Sequence, residues 1–161
     1  SAGVARAAEA APAASRVEVT FVQPEKFTDA ADEAYASDRG REEILASIKA
    51  HAEKTARYYV GEGEHLELRF IDIDLAGEVD PVEVPGGYQL RLMKDVYFPR
   101  LVFDYRVLDA SGVVVSEQKG VELKDMSYLS GPRSATTSTS FYYETKMLRD
   151  WFKKTLLGDS K

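Results

Sequence analysis

Two strand-like runs around a short turn constrain the fold of this chain more than any other feature. Residues 101–123 are rich in β-branched and aromatic side chains on both sides of the turn 109–112, which ends in glycine. Runs of this composition that flank a short glycine-containing turn are typical of a β-hairpin. The chain therefore contains an antiparallel sheet element, to which the other elements have to be joined.

The remaining periodic segments add two helices and further strands. Alternating apolar residues predict strands, whereas apolar residues at helical spacing predict helices. In chain order the patterns give strand 17–22, helix 41–59, strand 65–75, strand 88–93, hairpin 101–123 and helix 141–158. The strand–helix–strand start implies a parallel crossover. We therefore expect an α+β domain, with a mixed, mainly antiparallel sheet of about five strands and two helices packed on one face.

Each predicted helix has one apolar side, which we expect to face the core. In the first helix this side comprises Ile44, Ile48, Ala52, Thr55 and Tyr59. In the last helix it begins with either Tyr143 or Glu144 and continues with Met147, Leu148, Trp151, Phe152 and Thr155.

The strand 65–75 changes phase partway along its length. Its apolar residues occupy even positions up to Phe70 and odd positions from Ile71 onward. Successive side chains of a strand point to opposite faces, so one regular strand cannot place both sets on one side. Either the end of the strand is covered on both faces, or a β-bulge at Phe70-Ile71 switches the face that meets the core.

The 161 residues fit one domain with a core of its own. Residues 1–16, rich in alanine, predict a flexible leader, residues 17–158 a single α+β domain, and residues 159–161 a tail. The chain has no cysteine, which excludes disulfides, thiol nucleophiles and cysteine-ligated metal centres. No apolar run approaches the ~18 residues of a membrane span.

The net charge of −6 argues against binding to nucleic acid. The charge is unevenly distributed, because residues 25–83 carry 16 acids and 7 bases, whereas residues 84–161 carry 9 acids and 12 bases. Either the two halves neutralise each other across a shared fold, which is the simpler interpretation, or the second half carries a basic binding face.

A cluster of acids in residues 70–87 partly matches a calcium-binding loop. Counted from Asp72, acids occupy positions 1, 3, 9 and 12 of the EF-hand pattern, namely Asp72, Asp74, Asp80 and Glu83. A strand pattern enters the loop and a proline–glycine cluster leaves it, which excludes an EF-hand. A looser divalent-metal site on these four carboxylates is one hypothesis. The other is a strand end where Asp72 and Asp74 pair with bases such as Lys94, Arg100 or Arg106.

Two loops carry residue types that favour contact with a partner. Tyr97, Phe98 and Arg100 surround a proline, and aromatic residues and arginine are enriched at interface hot spots. Arg133 lies in the Ser/Thr-rich loop 127–140, which could become ordered on a partner. Alternatively, Tyr97 and Phe98 cap the core at the end of the sheet.

No catalytic motif is present, and no cofactor is predicted. Neither histidine belongs to a zinc-protease motif, and no serine lies in a nucleophile elbow. Ser116 and Lys119 match a serine–lysine pattern that requires a helix, but they fall in a predicted strand.

Four segments together resemble the bacterial domain-of-unknown-function family 3016. They are VEVTFVQPEKFTDA near the start, DIDLAGEVDP after the second strand, VYFPRLVFDYRVLDASG into the hairpin, and YETKMLRDWF in the last helix. The resemblance covers residues 17–157. It implies an exported, periplasmic protein and supplies no catalytic residues.

The leading hypothesis is a non-enzymatic module that binds a protein or another partner in the cell envelope. One alternative is a metal-dependent enzyme or metal-binding domain built on the four carboxylates of residues 72–83. The other is a structural module whose two-helix face packs in a homodimer.

Overall fold

The computed structural model describes residues 16–31, 38–79, 91–131 and 141–157. These residues form two α-helices, six strands and one 3₁₀ turn at Pro24–Lys26. In chain order the main elements are β1 (Val17–Phe21), α1 (Asp38–Ala56), β2 (His65–Asp74), β3 (Glu78–Val79), β4 (Arg91–Leu92), β5 (Arg100–Leu108), β6 (Val114–Lys124) and α2 (Tyr142–Thr155).

The main sheet has four strands in the order β1-β2-β5-β6. β1 runs parallel to β2, with α1 between them in the chain, and the other neighbours are antiparallel. β3 and β4 form a separate two-stranded sheet. The α+β class and the mainly antiparallel mixed sheet are therefore confirmed. Of the predicted strand 88–93, Arg91–Leu92 joins the small sheet, and residues 88–90 lie outside the described part of the chain.

The core lies between one face of the main sheet and the two helices. Alternate residues of the sheet are buried, as in Val17, Val19 and Leu66. The helices contact each other as well as the sheet, which places both of them on the predicted single face. Their buried apolar side chains are Leu45, Ile48, Ala52, Ala56, Met147, Leu148 and Phe152.

The buried side of α1 is turned slightly from the predicted one. Ile48 and Ala52 are buried as expected, but Leu45 replaces Ile44, which is only partly buried. Tyr59 packs on the core from the turn that follows the helix end at Ala56. Consecutive residues lie about 100° apart around a helix, so a rotation by part of a turn moves the buried position from Ile44 to Leu45.

A β-bulge explains the change of phase in β2. Phe70 pairs with Phe103 and Asp72 with Val102, so Ile71 is an extra residue in the ladder. Its side chain is 42% exposed, whereas Phe70 and Ile73 are fully buried. Of the two explanations left open by the sequence, the bulge is the one the fold uses. As a result, Asp72 and Asp74 point away from the core.

The predicted hairpin is formed by β5 and β6. The Asp109 carboxylate accepts hydrogen bonds from the backbone N–H groups of Ser111 and Val113, at 2.9 and 3.0 Å. A hydrogen bond from the Ser111 hydroxyl, together with these backbone bonds, holds the pKa of Asp109 below its usual range. The turn is thus fixed by local polar contacts, as the sequence indicates.

Neither helix among the described residues has the length and apolar character that a membrane crossing requires.

Candidate binding cleft

A cleft of about 580 Å³ lies between the loop after β1, the strand β3 and the loop before β5. Its described lining combines three aromatic side chains, Phe27, Tyr97 and Phe98, with the carboxylates of Asp29 and Asp74. Ligand sites are typically concave and largely apolar, with a few polar groups that orient the ligand. This cleft is therefore the candidate functional site.

The described charged groups that line the cleft are mainly acidic. Glu25, Asp29, Asp74 and Glu78 line it together with one base, Arg41, and Arg91 binds Asp29 from β4. Arg41 also lies 3.2 Å from Asp38, so part of its charge is already compensated. A concave surface with an excess of carboxylates attracts cationic groups.

Backbone pairing brings the two central carboxylates together. The Asp29 N–H donates to the carbonyl of Ile73 at 2.9 Å, and the Leu75 N–H donates to the carbonyl of Asp29 at 3.0 Å. Asp29 thereby forms a parallel β-bridge with Asp74 beyond the end of β1. Two acids that are far apart in sequence consequently lie side by side at one edge of the sheet.

The side chain of Arg91 connects two walls of the cleft, the loop after β1 and the turn after β2. Its guanidinium binds both oxygens of Asp29, at 2.8 and 3.1 Å. It also donates to the carbonyls of Ala31, Ala76 and Gly77. One side chain from β4 therefore holds the loop after β1 and the turn after β2, as the fork of five N–H donors in arginine allows.

Asp74 is the most perturbed carboxyl group of the cleft. Partial burial is the main cause that raises its pKa to about 6, and the neighbouring carboxylates of Asp29 and Asp72 add to the effect. Arg100 and Arg91 act in the opposite direction without cancelling it. A negative charge on Asp74 is thus disfavoured unless a further positive group approaches.

The Asp72 carboxylate forms hydrogen bonds with Thr28 and Arg100 on the outer side of the sheet. It accepts hydrogen bonds from the Thr28 N–H at 2.7 Å, from the Thr28 hydroxyl at 2.6 Å, and from Arg100 at 3.0 Å. Arg100 also binds Glu122 on β6 at 2.8 Å. The expected pairing of Asp72 with Arg100 is therefore confirmed, whereas Arg106 pairs with Glu67 instead.

The structure describes two of the four carboxylates in the metal-site hypothesis, Asp72 and Asp74. Asp72 is directed to Thr28 and Arg100, and Asp74 lines the cleft. Asp80 and Glu83 lie outside the described residues. A divalent-metal site on these four residues stays a prediction.

The predicted contact residues separate into two locations. Tyr97 and Phe98 are half-buried and line the cleft together, between the exposed Val96 and the buried Pro99. The carbonyl of Tyr97 accepts the Gly77 N–H at 2.8 Å, which anchors this loop to the turn after β2. Arg100 lies on the outer side of the sheet with Asp72, and Arg133 is outside the described residues.

Glu144, the third residue of α2, is buried and bonds to the same turn. Its carboxylate accepts the Ala76 N–H at 2.9 Å. Burial raises its pKa. Of the two alternatives for the start of the inward side of α2, Glu144 is the buried one, whereas Tyr143 is only half-buried.

Asp29 and Arg91 are central to the cleft, but the sequence patterns did not single them out. Asp29 lies in a polar connection without periodicity, and Arg91 lies in a short predicted strand. An arginine inside a strand-like run is a weak signal of a buried partner.

None of the curated proteins compared with the chain matches it. The family model described as a protein of unknown function (DUF3016) matches residues 15–154, and that span includes every described element of the fold except Thr155, the last residue of α2. The chain therefore belongs to this family.

Proposed function

We propose that this domain is a non-enzymatic binding module of the cell envelope, and that its cleft holds an extended segment of a protein partner that presents a basic side chain. The observation that carries the proposal is the position of Asp74. Its carboxyl group, with a pKa raised to about 6, lies in an aromatic-lined cleft whose charged lining is mainly acidic.

A basic side chain would relieve the electrostatic strain around Asp74. The neighbouring carboxylates of Asp29 and Asp72 raise the pKa of Asp74, and the cationic groups of the domain do not offset them fully. Arg91 is already engaged with Asp29 and three carbonyls. An ammonium or guanidinium group from a partner would therefore gain a charge-assisted hydrogen bond at Asp74.

The aromatic side chains supply the apolar part of the site. Phe27, Tyr97 and Phe98 lie along the cleft, and Val96 is 73% exposed at its edge. Phe27 also packs edge-on against Phe21, with ring centroids 6.1 Å apart, which fixes that wall. Rigid aromatic side chains in a concave site favour apolar contacts and cation–π contacts.

The envelope location is part of the same proposal. Its support is the resemblance to the DUF3016 family, which implies an exported, periplasmic protein. Expression of the full-length gene followed by osmotic-shock fractionation tests the location. We expect the protein in the periplasmic fraction, and recovery in the cytoplasmic fraction would contradict this part of the proposal.

Selection of short random peptides on the immobilised domain tests the cleft. We expect the selected peptides to be enriched in lysine or arginine beside apolar residues. Asp74→Asn and Phe98→Ala should each weaken binding of a selected peptide about tenfold, a loss typical of a central interface contact. Asp150→Asn is the matched control, because this exposed aspartate on α2 pairs only locally with Lys146 among its described contacts.

The pH dependence of peptide affinity supplies an independent test. Asp74 has to be ionised to bind a cation, so affinity should fall as the pH is lowered through about 6. The fall should be absent in Asp74→Asn. The proposal would be contradicted if the selected peptides were not enriched in lysine or arginine. It would also be contradicted if Asp74→Asn bound a selected peptide as tightly as the wild type.

A further inference from the structure

Three metal-ligating side chains meet on the outer face of the sheet, at the opposite end of β2 from the cleft. Glu18 on β1 lies directly beside Glu67 on β2 in the parallel register. His65 precedes Glu67 by two residues and therefore points to the same face. One ligand atom from each of these residues lies within 4.8 Å of the other two.

The two carboxylates repel each other in this arrangement. Like charges on directly opposed residues of neighbouring strands are destabilising. Arg106 offsets part of the repulsion, since its Nε and Nη2 lie 2.7 and 2.6 Å from Glu67 Oε2. His65 Nε2 lies 3.7 Å from Glu18 Oε2 and can contribute a positive charge only when protonated. A bound cation would neutralise both carboxylates.

We propose that Glu18, His65 and Glu67 form a binding site for a divalent transition-metal cation such as Zn²⁺. The ligand set is one imidazole nitrogen and two carboxylate oxygens. Mixed nitrogen and oxygen ligands suit Zn²⁺ and its neighbours in the first transition row, whereas Ca²⁺ and Mg²⁺ prefer oxygen alone. Three protein ligands leave a coordination position for water or for a ligand from a partner.

The site requires only a small contraction of the side chains. Bonds of ~2.0–2.2 Å to Zn²⁺ in a tetrahedral arrangement place the ligand atoms about 3.4 Å apart. The separations, all within 4.8 Å, can reach that value by rotation about side-chain bonds, because Glu18 is exposed and the other two residues are half-buried. The backbone positions are already fixed by the β1–β2 ladder.

Arg106 is the group that opposes the metal. Both of its contacts with Glu67 end on Oε2, so we assign Oε1 of Glu67 to the cation. The guanidinium nevertheless places a positive charge close to the site. Removing that charge in Arg106→Gln should therefore tighten metal binding.

This site is independent of the cleft. The strand from His65 to Asp74 spans about 30 Å at the usual rise per residue, so the two locations share no side chain. Its ligands also differ from the four carboxylates of residues 72–83, which would form an oxygen-only site. An experiment that disproves binding at one site therefore does not bear on the proposal for the other site.

Titration of tag-free, full-length chain with Zn²⁺ and Co²⁺, followed by calorimetry and by the visible absorption of Co²⁺, tests the proposal. We expect one equivalent of metal per chain, with Zn²⁺ bound more tightly than Ca²⁺ or Mg²⁺. His65→Ala and Glu67→Gln should each lower the affinity at least about tenfold. His51→Gln is the matched control, since His51 is the only other histidine and lies on α1.

Nuclear magnetic resonance of the wild-type chain gives a readout that does not depend on any variant folding. The chain has two histidines, so addition of Zn²⁺ should shift the imidazole signals of His65 and leave those of His51 in place. The proposal is overturned by an absence of stoichiometric binding at millimolar Zn²⁺, by binding that survives His65→Ala, or by weaker binding in Arg106→Gln.

Discussion

Arg91 and Asp29 lie 62 residues apart in the chain and form a two-pronged ion pair, with nitrogen–oxygen distances of 2.8 and 3.1 Å. Both side chains are about one-fifth exposed. The pair joins the small sheet to the loop after β1 and thereby closes one side of the cleft. Its geometry matters for stability as well as for the shape of the site.

Arg91→Met should destabilise the fold by about 3 kcal/mol, because it leaves the Asp29 carboxylate partly buried without its guanidinium and removes donors from three carbonyls. Urea unfolding monitored by circular dichroism measures the loss. Arg39→Ala breaks an exposed ion pair on α1 and should cost no more than about 0.5 kcal/mol. Equal losses in the two variants would contradict the role of Arg91.

Gly77→Ala should be more damaging than Gly112→Ala, although both glycines have a positive φ, +81° and +86°. A Cβ at Gly77 would lie 2.6 Å from Met93 Sδ and 2.7 Å from the carbonyl oxygen of Leu92. A Cβ at Gly112 would meet nothing within 4 Å. We expect a loss of about 1 kcal/mol for Gly112→Ala from the backbone alone, and about 3 kcal/mol for Gly77→Ala.

The same unfolding assay compares the two glycine variants. If Gly77→Ala cost no more than Gly112→Ala, the close approach of β4 to the turn after β2 would be refuted.

Asp74 should make the folded state less stable as the pH rises. Its pKa is raised from 3.8 to about 6 in the folded protein, so the folded state binds more protons than the unfolded state between these values. Stability therefore falls as the pH increases through this range, and the loss is complete above pH 6. Because the carboxyl group is only partly buried, solvent screening reduces the effect to about 1 kcal/mol.

Asp74→Asn isolates this contribution, because the other titrating groups are common to both proteins. The variant should match the wild type near pH 4 and exceed its free energy of unfolding by about 1 kcal/mol at pH 7. A difference that stays constant with pH, or that changes in the opposite direction, would show that Asp74 is not perturbed in this way.

Ile71 and Ile73 should respond very differently to truncation, although both belong to one apolar run of the sequence. Ile71 is the exposed extra residue of the bulge, whereas Ile73 is fully buried. Ile73→Ala should cost about 2–5 kcal/mol, and Ile71→Ala less than about 1 kcal/mol. Thermal unfolding of the two variants measures the contrast, and similar melting temperatures would argue against the bulge.

Local patterns were sufficient to predict the larger elements. Each of these elements buries one face, and burial of one face leaves a periodic pattern of apolar residues in the sequence. This pattern is the alternation in residues 101–123 and the helical spacing of Ile48, Ala52, Met147 and Phe152. The phase change marked the position Phe70-Ile71, but it was compatible both with a β-bulge and with a strand end that is covered on both faces. That choice depends on the partner strand, where Val102 pairs with Asp72.

The cleft could not be predicted as well as the larger helices and strands, because loops and two-residue strands form its walls. Nothing periodic marks Asp29, and the pairing of Glu78–Val79 with Arg91–Leu92 is too short to leave an alternating pattern. Tyr97 and Phe98 were identified by residue type alone. Their position beside Asp74 depends on the bond between the Gly77 N–H and the Tyr97 carbonyl, which only the folded chain provides.

The backbone of a single residue, Ala76, is hydrogen-bonded on two sides. Its N–H donates to Glu144 on α2, and its carbonyl accepts from Arg91 on β4. Ala76 therefore links the helix to the cleft wall through two backbone hydrogen bonds. The amide hydrogen of Ala76 is consequently a natural reporter, whose exchange with solvent senses both the seating of α2 and the closure of the cleft.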